Sequence, residues 1–234
     1  MKIINSVKAT SKIIIAAITL SVALAACSKD EDNTPQDISG LSVIHASPTT
    51  EKLDILVDTK KANTADFGYT NKIDYMNVIS GKRKISVTKK GVTTALLSDS
   101  LTFKPRFGYS LFVIDNIETV KFLFLEDDLT QPATGKARIR FVNASADAPA
   151  LNLAIAGKTT DVFTNKAFKE FSAFESIDAA EKVTFNVKNK ATGATEATIA
   201  DVKIEAGKIY TIWVKGLKAA TNDTKLGVAV FTHK

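Results

Sequence analysis

From residue 41 onward, apolar and polar residues alternate in short runs. Leu53-Asp54-Ile55-Leu56-Val57-Asp58 puts Leu53, Ile55 and Val57 on one face of an extended chain and Asp54 and Asp58 on the other, outer face. Thr184 to Lys188 and Tyr210 to Lys215 show the β-branched and aromatic enrichment of strands. No long stretch with a 3.6-residue period follows residue 26, and Ser172 to Lys182 is the only ambiguous segment. Six to eight short strands in each stretch of about 95 residues, separated by turn residues, point to antiparallel sandwiches.

The pattern occurs twice. Shifted by 98 positions, Leu41 falls on Ile139, Val43 on Phe141, and Ala46-Ser47 on Ala144-Ser145. Leu53, Ile55 and Val57 meet Leu151, Leu153 and Ile155, and Ile85 and Val87 meet Val183 and Phe185. Further on the offset is 101, with Tyr109 to Val113 meeting Tyr210 to Val214. Three added residues are expected in a longer hairpin turn near Asn189 to Ala194, where Thr192-Gly193 has turn chemistry. The reading is all-β: two tandem immunoglobulin-like antiparallel β-sandwich domains, at 41–128 and 137–234, joined by a linker at 129–136. Phe112 and Trp213, in equivalent strands, are read as core residues rather than ligand platforms.

The openings of the two copies resemble a bacterial surface-domain family of unknown function whose repeats begin H-A-S-P-D-A-P. Copy one has Ser42 to Pro48, with His45-Ala46-Ser47-Pro48, then Leu53-Asp54 and Val57-Asp58. Copy two has Phe141 to Pro149, with Asn143 for the histidine and Ala146 for the first proline, then Leu151-Asn152 and Gly157. Copy one departs at Thr49-Thr50, which replace the D-A pair. The resemblance implies an immunoglobulin-like fold, tandem arrangement and a cell-surface setting. It brings no catalytic residues.

Ahead of the repeats, Lys2, Lys8 and Lys12 precede any acid, and an apolar stretch from Ile13 to Ala26 is broken only by Thr19 and Ser21. That is shorter than the ~20 apolar residues of a membrane-spanning helix and ends in small residues, as a cleavable signal does. Leu24-Ala25-Ala26-Cys27 resembles the bacterial lipobox, so residues 1–26 are read as a lipoprotein signal and Cys27 as the lipidated, membrane-anchoring residue. The alternative is an ordinary secretory signal with a chance cysteine. Cys27 is the only cysteine, which rules out a disulfide within the chain. Residues 27–40 form an acidic tether, in which Lys29-Asp30-Glu31-Asp32 resembles the surface-export signal of Bacteroidetes-type lipoproteins. The expected address is the outer membrane, facing outward.

Charge then matters less than it first appears. Thirty-one basic against 25 acidic residues leave +6, but the signal carries three lysines and no acid, so the remaining chain is +3. The basic cluster Lys82-Arg83-Lys84 with Lys89-Lys90 lies on an alternating strand without stacking aromatics, which argues against nucleic acid as a partner. Candidate chemistry is thin. The two histidines, His45 and His233, have no ligand-spaced companion, and no nucleophile elbow, P-loop or EF-hand spacing occurs. No cofactor or metal is expected. His45, with Asn143 as its repeat partner, is assigned to fixing a turn by hydrogen bonds. Glu126-Asp127-Asp128 is a solvated linker or, less simply, a Ca²⁺ site, and Asp99-Ser100-Leu101 resembles an O-glycosylation sequence. Three function classes follow: a non-catalytic binding or adhesion module for protein or glycan, a structural spacer, and, last, a hydrolase.

Overall fold

The computed structural model describes residues 37–233; the signal, Cys27 and the Lys29–Asp32 run lie outside them. Sandwich one has strands β1 (Ile38–His45), β2 (Leu53–Val57), β3 (Lys60–Lys61), β4 (Lys72–Ile79), β5 (Gly81–Lys89), β6 (Ala95–Phe103), β7 (Gly108–Ile114) and β8 (Lys121–Asp127). Sandwich two repeats the series as β9 (Lys136–Asn143), β10 (Leu151–Ile155), β11 (Asp161–Lys166), β12 (Glu175–Asp178), β13 (Ala180–Asn189), β14 (Thr195–Ile204), β15 (Ile209–Lys215) and β16 (Gly227–Thr232). The ambiguous 172–182 segment supplies β12 and the start of β13.

Each sandwich has two four-stranded sheets, β4-β1-β7-β8 over β3-β2-β5-β6 and β12-β9-β15-β16 over β11-β10-β13-β14. Pairing is antiparallel except between β1 and β7 and between β9 and β15, which run parallel. The inner faces close on separate cores, Leu41, Ile55, Val87 and Leu111 in one and Ile139, Leu153, Phe185 and Ile212 in the other. A buried tyrosine pins the same corner in both: Lys104 N donates to Tyr109 Oη (2.9 Å), and Glu205 N to Tyr210 Oη (3.0 Å).

The three added residues are not in the hairpin. Val87 pairs with Leu97 and Thr88 with Ala95, while Val187 pairs with Ala197 and Lys188 with Thr195, so the two hairpins are the same length. The pairing places Ile85 and Val87 opposite Asp99 and Leu97, and their structural equivalents are Phe185 and Val187, not Val183 and Phe185. One residue is gained before β12, where Glu175 takes the place of Met76 opposite the first strand. A second is gained as a bulge between Ala180 and Val183, and a third between Ile199 and Val202. There Asp201 adopts φ 55°. A bulge absorbs an extra residue without turning the remaining side chains to the wrong face.

A third core joins the copies. The outer faces of the β4-β1-β7-β8 and β12-β9-β15-β16 sheets pack on each other through Ile44, Phe112, Ile114, Leu125, Val142 and Trp213. Phe112 and Trp213 meet edge to face, with centroids 5.8 Å apart. These two sheets are covered on both sides, which explains why β7 is buried throughout. The described residues, 37–233, accordingly form one compact unit of four sheet layers.

Candidate functional site

The densest gathering of chemically capable side chains lies at the edge of this third core. β8 supplies Asp127, β7 Ser110 and β4 Tyr75; β9 supplies Arg140, β15 Thr211, and His233 follows β16. The Arg140 guanidinium lies 2.8 Å from Asp127 Oδ1 and its Nε donates to Thr211 Oγ1 (3.2 Å). Thr211 Oγ1 lies 2.7 Å from His233 Nε2, and His233 Nδ1 lies 2.7 Å from Tyr75 Oη. Tyr75 Oη donates to Asp127 Oδ2 (2.5 Å), as does Ser110 Oγ (2.8 Å).

The network closes into a ring, and the ring fixes every proton. Arg140 can only donate and ionised Asp127 can only accept. Thr211 therefore donates to His233 Nε2, and His233 is the neutral tautomer with its proton on Nδ1, given to Tyr75. Burial holds His233 down at about 3, with the Arg140 and Lys72 charges adding to the effect. Burial raises the Tyr75 phenol, and the neighbouring Asp127 charge raises it further. Gly40 and Gly108 make room for Tyr75: a Cβ on either would come within 3.1 Å and 3.4 Å of its ring. Phe174 closes the far side, its ring centre 4.6 Å from the guanidinium carbon of Arg140.

By composition this could be a catalytic cluster; by access it is not. Arg140 is 1% exposed and Asp127 and His233 are 4% each. The Arg140–Asp127 and His233–Tyr75 contacts cross between the two sheets and the other bonds brace each side, so the ring works as a polar weld.

The acidic run is spent in the same way. It is not a solvated linker, since Glu126 and Asp127 belong to β8. Glu126 pairs with Lys104 (2.8 Å), Asp127 with Arg140, and Asp128 with Arg138 (2.5 Å). With each carboxylate matched to a cation, no set of oxygens converges as a Ca²⁺ site requires. Among the described residues no cluster of metal-type ligands occurs.

His45 is fully buried where β1 ends. Its Nε2 lies 3.3 Å from the Glu51 carbonyl, its ring packs on Phe67, and burial lowers it to about 4. Asn143 uses other partners: its Nδ2 donates to Lys166 O (3.0 Å) and its Oδ1 accepts from Ser145 N (3.1 Å). The main-chain geometry is common to both. His45 N donates to Asn71 O and its carbonyl accepts from Thr70 N, as Asn143 N donates to Glu170 O and its carbonyl accepts from Lys169 N.

Asp54 is not on an open outer face. It is covered, with Lys61 Nζ at 2.7 Å and bonds from Gly91 N and Asn63 Nδ2 at 3.0 and 3.3 Å. At the 98-residue offset acid and amide change places: Asn152 Nδ2 donates to Asp161 Oδ2 (2.8 Å), and Lys188 Nζ to Asp161 Oδ1 (3.0 Å). The pair is a brace in both copies. Asp58 and Ser100 are exposed, as are Lys84 and Lys90.

Open surface is offered at two equivalent clefts between sheet edges. One, of about 400 Å³, is lined by Val57, Met76, Val78 and Arg83; the other, of about 460 Å³, by Ile155, Val162, Ile177 and Val183.

A family model described as a domain of unknown function (DUF4397) matches residues 39–154, from β1 through most of β10 and so across both motif openings. No curated protein matches the chain. Among solved structures, a family 26 carbohydrate-binding module from Eubacterium rectale in complex with maltoheptaose aligns at 12% identity and a TM-score of 0.27, over 82% of this chain and 96% of that one. A family 41 carbohydrate-binding module from streptococcal virulence factors aligns at 14% and 0.28, over 81% and 96%. A candidate cell adhesion protein from Bacteroides eggerthii aligns at 10% and 0.24, over 84% and 95%. At such scores these alignments carry no functional argument.

Proposed function

We propose that this chain is a non-catalytic binding or adhesion module for protein or glycan, held on the outer membrane and facing outward through a lipid on Cys27. The observation that carries the non-catalytic reading is the ring: buried Arg140, Asp127 and His233 and half-buried Tyr75 are consumed in joining the two sandwiches. A catalytic acid or base must reach a substrate proton within hydrogen-bond distance, and at 1–4% exposure Arg140, Asp127 and His233 do not. The loops and the paired clefts remain for recognition, on a scaffold that holds them in fixed relation. The spacer reading is favoured by one feature, the four-layer body itself.

The test has two arms. The chain from Ser28 onward is probed on a glycan and protein array beside a hydrolase screen; a saturable ligand without turnover is expected. Turnover that survives Asp127→Asn with the fold intact would place a catalytic centre elsewhere and end the non-enzyme reading, and an array without ligand would favour the spacer. In the native host, Cys27→Ala should lose labelled palmitate and membrane retention; a variant that still takes up label would remove Cys27 as anchor. Replacing Lys29 to Asp32 by alanine should keep the lipid and lose surface protease accessibility, and unchanged accessibility would reduce that run to a tether.

A further inference from the structure

The two copies differ sharply at one end. In sandwich one, Ile38 and Ile79 lie opposite each other in the β1–β4 ladder and are 45% and 42% exposed. On the other side of β1, Arg106 N donates to Ile38 O (2.7 Å) and Gly40 N to Phe107 O (2.9 Å), which brings Phe107, 42% exposed, alongside. Three of the five large exposed apolar side chains among the described residues thus share one end of one sandwich. Cations border them: Lys82 and Arg106 are exposed, Lys104 Nζ, also paired with Glu126, lies 5.2 Å from the Phe107 ring centre, and Arg83, 3.6 Å from Asp58, donates to the carbonyls of Ile79 and Ser80.

The same positions in sandwich two are charged. The register puts Lys136 and Asp178 where Ile38 and Ile79 stand, and they form an ion pair at 2.5 Å. Lys208 replaces Phe107, and Glu205 replaces Lys104. The fold therefore tolerates full polarity here, and the apolar residues of copy one are not required for folding. Exposed apolar residues that folding does not require mark a contact surface.

What covers the surface follows from where the chain leads. Cys27 lies ten residues before Asp37, the residue that precedes Ile38. A segment of that length spans at most about 35 Å, so a lipid on Cys27 holds the Ile38 end within that distance of the bilayer. Tethering makes the contact intramolecular, so even weak insertion is populated. Apolar side chains bordered by arginine and lysine suit the boundary between acyl chains and phosphate headgroups.

We propose that the Ile38–Ile79–Phe107 end of sandwich one docks on the bilayer that carries the Cys27 lipid, an inference that rests on the lipid-anchor reading. Docking fixes the orientation: the opposite end, with Val92 in the β5–β6 hairpin, points away from the membrane.

An artificial anchor separates this proposal from the lipidation it rests on. The chain from Ser28 onward, which contains the whole compact unit, carries an amino-terminal hexahistidine. It is held on vesicles of phosphatidylethanolamine and phosphatidylglycerol doped with nickel-chelating lipid. A solvatochromic dye is placed at Lys82→Cys or at Val92→Cys. The dye at 82 should shift to the blue on vesicle attachment and be quenched several-fold more strongly by doxyl-labelled lipid than the dye at 92. Equal behaviour at the two sites would overturn the proposal, whatever the palmitate result at Cys27. Ile38→Lys with Ile79→Asp and Phe107→Lys, the residues sandwich two carries, should abolish the shift; Phe107→Ser alone should weaken it. A shift unaffected by either variant would also overturn it.

Discussion

Asp127 and His233 occupy equivalent places, each opposite the first residue of the parallel-paired strand of its sheet. So do Ser42 and Arg140, Tyr75 and Phe174, and Ser110 and Thr211. The duplication thus gave two matching faces, and divergence made them complementary, with acid and phenol on one and guanidinium and imidazole on the other. A buried pair of this kind costs most when one partner is removed, because the other charge is left without compensation. Asp127→Ala should therefore destabilise the fold by about 3–5 kcal/mol in urea. A loss under 1 kcal/mol would mean that water reaches Arg140. Titration gives a second handle. His45 and His233 are held at about 4 and about 3, below the value near 6.5 expected of an unfolded chain. The unfolded state binds the extra proton, so stability is complete above about pH 6.5 and falls as pH drops toward those lowered values. Between pH 7.5 and 5, above the range where most carboxylates titrate, the loss should be about 2 kcal/mol for each histidine. His45→Asn, which installs the residue of copy two, should cost at most about 1 kcal/mol at pH 7.5 and remove about half of that pH dependence. A pH dependence unchanged in the variant would contradict the buried neutral imidazole.

At the scale of strands, periodicity was enough to find the repeat, because β1 and β9 or β7 and β15 must present the same faces to equivalent cores. It could not locate the added residues. Turn-prone Thr192-Gly193 drew the insertion to the hairpin, whereas the pairing puts two of the three inside ladders, where an alternating sequence reads almost the same with one residue more. The third core had a visible sign: Leu111-Phe112-Val113-Ile114 is continuously apolar, as a strand covered on both faces should be. The ring was not legible, since its members come from six strands or strand ends far apart in sequence. The one local hint was Arg140 between Ile139 and Phe141-Val142, a charge inside an apolar strand. The bulge at Asp201 gives this scale its prediction. Its φ of 55° suits glycine and tolerates aspartate, but not a β-branched residue. Asp201→Val should cost about 1–2 kcal/mol while Asp201→Gly leaves the urea midpoint nearly unchanged; equal effects would mean that the added residue is not held in the left-handed conformation.

For the whole molecule, the weld decides what kind of object is presented. Two sandwiches on a flexible link would present their loops independently. Here the sheets share a core, and the Asp127–Arg140 pair closes it. Separation would expose Phe112, Trp213 and Leu125 to water and leave Arg140 and Asp127 without each other. The central claim, that the two sandwiches are a single cooperative body, can be read directly because Trp213 is the only tryptophan and sits in the shared core. Equilibrium urea unfolding of the chain from Ser28 onward is followed by Trp213 emission, which reports the interface, and by far-ultraviolet circular dichroism, which reports the strands. The two curves should coincide in one transition with a common midpoint. A Trp213 transition completed while the strand signal is still native would contradict the claim and leave two independent sandwiches on a tether.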